Sequence, residues 1–525
     1  MKSENIYDRS NLLSKAKNHD EWDVIVIGGG SSGLGIALDS ATRGYKTLLV
    51  ERSDFAKGTS SRSTKLVHGG VRYLAQANFS LVREALKERG LLEQNAPHLV
   101  KNQTFLIPNY KWWEGLYYTL GLKTYDFLAG KLSLGASKHL GKNETIRKLP
   151  TIKKSTLKGS VSYQDGQFDD SRLAVNIAQT AIENGAVLLN YFEVKNLIKD
   201  QNNKVSGVVA EDIETQKVYN FKAKAVINAT GVFADDILQM DKAGERKRIQ
   251  PSQGVHLVFD KSFLPSEDAI MIPKTDDGRV LFAVPWHDKV IVGTTDEMVD
   301  KHTDEPNASE KEVEFILETF NRFIDKKATR EDIKSIYAGL RPLAATDDEN
   351  GKTKEISRGH KILVSNSGLF SITGGKWTTY RKMAEDTLGR VISFGKLPKK
   401  DCVTEHLSIH GAMNTNERDN HHYVYGSDQF QLQKLIQNDA SLGEKIHPDL
   451  KYLIVEVLWA ARHEMARTVE DVLARRVRVL FLDAKKSIEM APKVAGIMAK
   501  ELDKDQQWIE DQVKNYTKLA AGYII

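Results

Sequence analysis

The strongest constraint on the fold of this chain is a glycine-rich turn that joins two short apolar segments near its start. The first segment and the turn read Trp22-Asp-Val-Ile-Val-Ile-Gly-Gly-Gly-Ser-Ser-Gly33, and the second segment reads Thr47-Leu-Leu-Val-Glu51. The run from Val24 to Ile27 is continuously apolar, as in a parallel strand that is buried on both faces. The pattern predicts a βαβ unit whose helix covers about residues 32–43.

Three glycines in this unit, Gly28, Gly30 and Gly33, have the G-x-G-x-x-G spacing of dinucleotide-binding proteins. The first allows a tight turn, the second lets backbone approach a pyrophosphate, and the third lets the helix pack closely on the sheet. The pyrophosphate should lie at the helix N-terminus, which favours an anion. Glu51 should accept hydrogen bonds from the adenosine ribose, which argues against a 2′-phosphate and therefore against NADP.

A loop rich in hydroxyl groups follows the second strand, and its composition suits a second phosphate and a flat ring. It reads Gly58-Thr-Ser-Ser-Arg-Ser-Thr-Lys-Leu-Val-His-Gly-Gly-Val-Arg-Tyr-Leu74. The alternative interpretation is a solvated linker, but linkers seldom combine paired glycines with His, Arg and Tyr. The loop therefore favours a flavin over a nicotinamide cofactor.

Three later segments carry a similar mixture of glycine, hydroxyl and basic residues. They read Asn228-Ala-Thr-Gly-Val-Phe-Ala-Asp235, Tyr337-Ala-Gly-Leu-Arg-Pro-Leu343 and Phe370-Ser-Ile-Thr-Gly-Gly-Lys-Trp-Thr-Thr-Tyr-Arg381. Together with the 58–74 loop, they resemble the signature segments of the respiratory FAD-dependent glycerol-3-phosphate dehydrogenases. These enzymes oxidise glycerol 3-phosphate to dihydroxyacetone phosphate. The resemblance covers roughly residues 20–395, with a weaker similarity at 459–482.

The expected fold class is α/β, with a Rossmann-like FAD-binding domain, an antiparallel-sheet substrate domain and a helical C-terminal domain. This is the architecture of D-amino-acid-oxidase-like flavoproteins. The predicted boundaries are an N-terminal extension at 1–19, an FAD-binding domain at 20–75, 160–238 and 352–395, a substrate domain at 76–159 and 239–351, and a helical domain at 400–525. Strand-like runs at 186–189, 224–228 and 361–364 should pair beside the first strand. Runs at 254–259, 280–285 and 290–293 should form the antiparallel sheet.

The resemblance implies that FAD is bound without covalent attachment, because no independent attachment motif places His68. The positions predicted to contact FAD lie in the segments quoted above, apart from Val194. They are Gly28, Gly30, Ser32, Gly33, Glu51, Arg52, Thr59, Ser60, Ser61, Ser63, Lys65, Leu66, His68, Gly69, Gly70, Val194, Ala229, Thr230, Gly231, Gly374, Gly375, Lys376, Trp377 and Thr378.

Oxidation of a secondary alcohol that carries a phosphate needs a flavin, a base for the hydroxyl proton and cations for the phosphate. Arg341 suits the phosphate, because its planar guanidinium can bind two oxygens at once. A surface salt bridge is the alternative role of such an arginine. By resemblance, the same anion pocket includes Arg72, Tyr73 and Arg358.

His256 is the predicted general base, since an imidazole with a pKa near 6.5 is poised near neutrality and the position matches the family's active-site histidine. A satisfied core histidine is the alternative. His68 competes for the role, although its position in the flavin loop favours contact with the cofactor. Lys376 resembles the family's lysine near the flavin ring and substrate, where a cation would stabilise reduced flavin. The catalytic set is thus His256, Lys376 and Arg341.

Composition excludes several other classes of protein. The net charge of +5 is too small to demand nucleic acid, and the single cysteine, Cys402, cannot form an internal disulfide. No metal is predicted, because His421, His422 and His463 are not spaced with carboxylates or cysteines as in a metal site. The polar N-terminus contains no signal-like apolar run. We therefore expect a cytoplasmic protein that associates peripherally with the inner face of the cytoplasmic membrane.

The expected electron acceptor is a membrane quinone, because the resemblance is to the dehydrogenases and the extra insertion of the related oxygen-using oxidases is not recognisable. Residues 110–128 mix aromatic, leucine and lysine side chains and could lie in a headgroup layer. A buried amphipathic helix is an equally good interpretation of this segment. The oligomeric state is left open, with a homodimer as one option.

Two other functions remain open at the level of the sequence. An amine or hydroxy-acid oxidase would keep the N-terminal unit, and Arg341 alone does not distinguish a carboxylate from a phosphate. A non-enzymatic flavin- or nucleic-acid-binding module is supported only by basic clusters such as Arg475-Arg-Val-Arg478. Those arginines alternate with apolar residues, which favours a solvated or interdomain face.

Overall fold

The βαβ unit is present at the predicted place, at the centre of the first of two mixed β-sheets. The computed structural model describes residues 5–70, 78–130, 134–244, 246–275, 278–344, 359–414 and 420–525. Its strands, in chain order, are β1 Trp22–Ile27, β2 Thr47–Glu51, β3 Leu66–Val67, β4 Val100–Asn109, β5 Lys138–Gly141, β6 Gly159–Phe168, β7 Val187–Asn190, β8 Phe192–Lys199, β9 Val205–Asp212, β10 Lys217–Asn228, β11 Ile249–Asp260, β12 Ala269–Ile272, β13 Leu281–Trp286, β14 Lys289–Gly293, β15 Glu297–Met298, β16 Ile333–Ala344, β17 Lys361–Val364 and β18 Phe370–Thr373.

The helices cover the first sheet and form most of the C-terminal region. They are α1 Arg9–Lys17, α2 Ser31–Thr42, α3 Phe79–Asn95, α4 Glu114–Ala129, α5 Lys142–Lys148, α6 Asp170–Glu183, α7 Ala234–Asp241, α8 Glu310–Asn321, α9 Tyr380–Ser393, α10 Gln429–Asn438, α11 Ile454–His463, α12 Val479–Leu482, α13 Ala484–Glu501 and α14 Gln506–Ala521. The helical region also contains 3-10 segments at Thr404–His406, His421–Asp428 and Ala440–Gly443 and a π-helix at Asp471–Arg476.

The first sheet has the strand order β17-β18-β10-β1-β2-β7, with β8 and β9 extending from β10. Strand β1 is parallel to both neighbours, and its side chains from Val24 to Val26 are fully buried, as the apolar run predicts. All three runs predicted for this sheet are strands of it. Of these three strands, only β10 lies directly beside β1. Strand β7 pairs with β2, and β17 pairs antiparallel with β18.

The second sheet has ten strands, with β15-β11-β14-β13-β12-β4-β6-β3 in order and β16 and β5 attached to β11 and β6. The three predicted strands are β11, β13 and β14, and they are antiparallel as expected. Strand β6 pairs with β4 over its whole length. Strand β6 therefore belongs to this sheet, whereas the sequence interpretation assigned residues 160–238 to the FAD-binding domain of the first sheet.

Strand β16 contains the Tyr337–Leu343 segment and was not recognised as a strand. It pairs with β11 along nearly its full length, and Pro342 lies opposite Pro251. A proline does not donate a backbone hydrogen bond, so strands tolerate it only at the edge of a sheet. In a sequence, a proline therefore argues against a central strand. Among the described strands, β16 pairs with β11 only, so Pro342 is accommodated at an edge of the sheet.

The N-terminal extension packs on the first sheet. Helix α1 buries Leu12 and Ala16, and the Arg9 guanidinium lies 2.7 Å from Asp212 Oδ1 on β9. Most of its other polar side chains are exposed on the outer face of the helix.

The helical region is attached to the first sheet by buried charges. Arg475 Nε and Arg476 Nη1 donate to Asp54 Oδ2 at 2.5 and 2.8 Å, and all three side chains are excluded from solvent. Arg478 lies 2.8 Å from Asp169 Oδ2 in a second buried pair. The basic cluster is therefore an interdomain face, which is one of the two structural alternatives that its pattern allowed.

We expect Asp54→Asn to destabilise the protein by about 3 kcal/mol, because the substitution removes a buried carboxylate that Arg475 and Arg476 share, although Arg475 keeps its pairs with Glu470 and Asp471. Differential scanning calorimetry should show a lower unfolding temperature. The control is Asp288→Asn, which breaks the exposed 3.0 Å pair with Lys451 and should cost no more than about 1 kcal/mol. Equal unfolding temperatures for the two variants would contradict the anchoring role of Asp54.

Candidate active site

A cavity of about 480 Å³ runs from the glycine-rich turn of the first sheet to strands β11 and β16 of the second. Nineteen of the predicted cofactor positions line it, as do His256 and Arg341. These nineteen are Gly28, Gly30, Ser32, Glu51, Arg52, Thr59, Ser60, Ser63, Leu66, His68, Val194, Ala229, Thr230, Gly231, Gly374, Gly375, Lys376, Trp377 and Thr378. One cavity therefore joins the dinucleotide motif to the predicted substrate residues.

At the first end of the cavity, the turn and the N-terminus of α2 are shaped for a phosphate group. Gly28 has a φ of +106°, in the region that favours glycine. Gly33 does not line the cavity. A Cβ atom there would lie 1.9 Å from the Gly28 carbonyl oxygen, so this glycine allows the helix to approach the strand. Ser60 Oγ accepts a hydrogen bond from the Ser31 N–H at 2.9 Å, which fixes the hydroxyl-rich loop against the helix start.

Glu51 is held rigidly at the end of β2. One of its carboxylate oxygens accepts from the Gly29 N–H at 2.6 Å and the other from the Ser53 N–H at 2.8 Å. Burial raises the pKa of this carboxyl above its usual value, although the two hydrogen bonds oppose the shift. Each oxygen retains capacity for a further donor, so the side chain can accept ribose hydroxyls as predicted.

The loop after β18 closes the middle of the cavity over the hydroxyl-rich loop. Trp377 Nε1–H donates to the Ser60 carbonyl at 2.8 Å, and the His68 N–H donates to Thr378 Oγ1 at 3.2 Å. Lys376, which precedes Trp377, also lines the cavity. The two loops that the sequence associated with a flavin thus contact each other directly.

At the second end, Arg341 is held by several acceptors from the β14–β15 connection. Its Nη2 donates to Thr294 Oγ1 at 3.2 Å, and its Nη1 lies 3.4 Å from Asp296 Oδ1. A Cβ atom at Gly254 would lie 2.4 Å from Arg341 Nη2, so this glycine makes room for the guanidinium. The side chain remains 27% exposed and faces a cavity, unlike the buried arginines of the helical region.

His256 lies on β11 next to Arg341 and is buried. Its Nε2 is 2.8 Å from Thr64 Oγ1, and its ring stacks on Tyr337 with the centroids 4.8 Å apart. Burial and the nearby cations of Arg341 and Lys65 hold the pKa of this imidazole well below its usual value. This environment favours the neutral imidazole over the half-protonated form that an unperturbed pKa would give.

Lys65 is the clearest departure among the predicted cofactor residues. Its ammonium group is fully buried, lies 2.7 Å from Asp170 Oδ2 and donates to the Ser61 carbonyl at 2.5 Å. It does not reach the cavity wall. The side chain fixes the hydroxyl-rich loop from behind, and Asp170 was not recognised because it lies 105 residues away.

Three other predicted cofactor residues do not line the cavity. They are Ser61, Gly69 and Gly70. The Gly69 N–H donates to Asp165 Oδ1 at 3.3 Å, and Asp165 Oδ2 accepts from the Tyr125 hydroxyl at 2.9 Å. Asp165 was not predicted, because a lone acid within a strand gives no sequence signal. Arg72, Tyr73 and Arg358 lie outside the described residues.

Comparison with known proteins agrees with this geometry. Residues 23–381 match the family described as FAD dependent oxidoreductase, and residues 371–509 match the C-terminal domain of alpha-glycerophosphate oxidase. The chain is 38% identical to the mitochondrial glycerol-3-phosphate dehydrogenase of Schizosaccharomyces pombe, over 95% of this chain and 87% of that protein. It is 39% identical to the mitochondrial enzyme of Arabidopsis thaliana, over 98% and 88%.

The chain belongs to the glycerol-3-phosphate dehydrogenase family of FAD-dependent oxidoreductases. The crystal structure of the Bacillus halodurans glycerol-3-phosphate dehydrogenase complexed with FAD is similar, with a TM-score of 0.78 and 30% identity over 99% of this chain and 98% of that one. The predicted family, fold class and cofactor are thereby confirmed. The helical region, which carried no recognisable chemistry in the sequence, falls within a known domain of this family.

The predicted location is not supported. The relatives from Schizosaccharomyces pombe, Arabidopsis thaliana and Bos taurus are named as mitochondrial proteins, which contradicts a cytoplasmic protein at the inner face of the cytoplasmic membrane. Within the described part of the chain, no helix combines the length and apolarity needed to cross a membrane.

We expect Gly33→Ala to lose most of its FAD, because the added methyl group must push α2 away from the turn that should hold the pyrophosphate. The ratio of flavin to protein absorbance in the purified enzyme measures this. Gly389→Ala is the matched control, since a Cβ atom at that helical glycine meets nothing within 4 Å. A normal flavin content in Gly33→Ala would show that the helix start does not hold the cofactor.

Proposed function

We propose that the chain oxidises sn-glycerol 3-phosphate to dihydroxyacetone phosphate in the cavity between the two sheets, with Arg341 as the phosphate anchor and His256 as the base. The observation that carries this proposal is the position of Arg341 and His256 at one end of a cavity whose other end is the dinucleotide motif. Family membership supports it, since the relatives are named as glycerol-3-phosphate dehydrogenases.

The residues present fit FAD bound without covalent attachment. The turn at Gly28 and the start of α2 would hold the pyrophosphate, and Glu51 would hold the adenosine ribose. The contact between Trp377 and Ser60 closes the wall where the ring would lie. When bound, FAD supplies the acceptor for the hydride that leaves the alcohol carbon. Acid denaturation should release all of the flavin into solution.

Arg341 is suited to the substrate phosphate because its position is fixed before any ligand binds. Thr294, Asp296 and the carbonyls of Gln253 and Thr295 accept from its two terminal nitrogens at 3.2–3.4 Å. These contacts are long, so a phosphate dianion that offers charge-assisted, fork-shaped binding would replace them. Arg341 and Lys376 both line the cavity and bring positive charge to it, whereas the ammonium of Lys65 is already paired with Asp170. This end of the site therefore favours a doubly charged phosphate over a neutral substrate.

His256 can accept the hydroxyl proton because it is neutral. If the Nε2–H donates to Thr64 Oγ1, Nδ1 carries the free lone pair, and this atom is buried without a hydrogen-bond partner. The lowered pKa of the imidazole makes it a weak base at rest. Proton transfer to His256 must therefore occur together with departure of the hydride from the alcohol carbon. During this step, the dianionic phosphate bound at Arg341 would offset part of the local positive charge.

Arg341→Ala should weaken glycerol 3-phosphate binding by at least about tenfold, because a charge-assisted bidentate contact is worth about 1.5–3 kcal/mol. Flavin content should stay normal. The measurement is the substrate concentration that gives half-maximal flavin reduction in anaerobic stopped-flow experiments. Arg330→Ala is the control, as this arginine makes only exposed pairs with Glu310 and Glu314. Unchanged affinity in Arg341→Ala would exclude the phosphate role.

His256→Ala should slow flavin reduction by roughly 10²- to 10⁴-fold while FAD and substrate still bind. The pH dependence gives an independent check. Since the base acts in its neutral form and its pKa is lowered in the free enzyme, the second-order rate constant for flavin reduction at low substrate, corrected for ionisation of the substrate phosphate, should stay constant as the pH falls through 6.5. A rate that halves near pH 6.5 would instead indicate a base with an ordinary histidine pKa, and His256 would then be a positioning residue.

We further propose that the electrons pass to a quinone at a membrane surface, and that α4 contacts this surface. Trp112 and Phe127 are 86% and 84% exposed, and Leu116, Tyr117 and Leu120 extend the same uncovered apolar surface. Exposed lysines flank it at Lys111 and Lys123. An aromatic face bordered by lysines suits the headgroup layer, whereas a helix packed within the protein would bury these side chains.

The double variant Trp112→Ser/Phe127→Ser should bind vesicles of anionic phospholipid much more weakly than the wild type in a flotation assay, and its reduction by glycerol 3-phosphate in solution should not change. Phe430→Ser is the matched control, because Phe430 is 58% exposed on the helical region. Equal flotation of the wild type and both variants would contradict the proposed membrane contact. Rapid peroxide formation in detergent-free buffer would instead favour oxygen as the acceptor, as in a glycerophosphate oxidase.

A further inference from the structure

Two adjacent histidines and a glutamate meet in the helical region, away from the residues of the proposed active site. His421 and His422 begin the 3-10 segment, and Glu456 lies in the first turn of α11. His421 Nε2 is 3.0 Å from Glu456 Oε2, and His422 Nε2 is 3.8 Å from the same oxygen. The three ligand atoms all lie within 4.8 Å of one another. Sequence spacing gave no hint of this arrangement, because the carboxylate is 35 residues away.

The buried nitrogen of His422 is the feature that an ordinary ion pair does not explain. His422 is 5% exposed, and its Nε2 is buried with no hydrogen-bond partner, at 3.8 Å from the carboxylate. A buried polar atom without a partner costs free energy, so such atoms are uncommon unless a water or an ion satisfies them. A cation between this nitrogen, the carboxylate and His421 would satisfy it.

The carboxylate is already oriented for such a role. Glu456 Oε2 accepts from the Leu453 N–H at 2.7 Å, and Oε1 accepts from the Tyr425 hydroxyl at 3.1 Å. Outer hydrogen bonds of this kind fix the ligands of natural metal sites. The two imidazole rings are also fixed relative to each other, with centroids 4.1 Å apart, and the His421 ring contacts Tyr452.

We propose that His421, His422 and Glu456 bind one divalent transition-metal ion of the zinc class through the two Nε2 atoms and Oε2. Two imidazole nitrogens and one carboxylate oxygen form a ligand set that zinc uses, and tetrahedral coordination places ligand atoms about 3.3 Å apart. The observed separations of 3.0 and 3.8 Å bracket that value. The fourth position would be taken by water on the side of His421, whose side chain is 14% exposed.

The consequence would be structural. The ion would join the 3-10 segment to α11 and so brace the helical region that Arg475 and Arg476 attach to the first sheet. Since the ligands must be placed by the fold, binding would stabilise the native state. The proposal does not depend on the identity of the oxidised substrate.

The test uses the intact flavoprotein, without a histidine tag, after dialysis against a chelator. Added Co²⁺ should give the visible absorption of a tetrahedral ion at one equivalent, after subtraction of the flavin spectrum, and Zn²⁺ should displace it. Zn²⁺ should also raise the unfolding temperature. His421→Ala should weaken Co²⁺ binding by at least the roughly 10- to 100-fold that loss of an outer contact costs a metal site.

Two further variants make the result decisive. Glu456→Gln keeps an acceptor for Leu453 while it removes the anionic ligand, so it should also lose the cobalt spectrum without unfolding. His447→Ala removes the histidine of a 2.8 Å pair with Glu489 that joins no third candidate ligand among the residues that the structure describes, so it should bind cobalt like the wild type. If the wild type and His421→Ala bind Co²⁺ equally, or if the wild type shows no tetrahedral spectrum, the proposal is wrong.

Discussion

Two adjacent carboxylates at the start of α6 connect the three parts of the molecule. Asp170 binds the buried ammonium of Lys65 and the Ser63 hydroxyl, and so fixes the loop that forms one wall of the cavity. Asp169 lies 2.8 Å from Arg478 of the helical region and 3.6 Å from His287 of the second sheet. Because a buried charge without a partner is far more costly than a complete pair, these contacts favour one relative arrangement of loop, sheets and helices.

The sequence allowed accurate prediction wherever the chemistry is local. The turn after β1 and the loop after β18 each contain their glycines and polar groups within about a dozen residues, so the sequence alone indicated two segments that the fold places in the wall of one cavity. The residues that hold those segments in place were not predictable. Asp165, Asp170 and Thr64 contact partners that only the fold brings near, and no spacing rule connects them.

Residue type misled the interpretation in two places. Lys65 has the charge expected of a phosphate ligand, but the chain turns its ammonium away from the cavity and toward Asp170. Strand β16 was not anticipated because Pro342 and Gly339 interrupt its pattern, yet an edge strand tolerates both. For Lys65, the missing information was which side of the loop faces the cavity. For β16, it was that the strand lies at an edge of the sheet.

The placement of charge also explains how a neutral histidine can serve a substrate with a dianionic group. Burial and, to a smaller extent, Arg341 and Lys65 lower the pKa of His256, which would hinder proton abstraction if the site held no anion. A bound phosphate near Arg341 would offset that positive charge and raise the proton affinity of the imidazole. The base would then be strongest when the correct substrate is bound. An alcohol without the phosphate would meet a weaker base as well as a weaker binding site, so the same arginine would select the substrate and assist its oxidation.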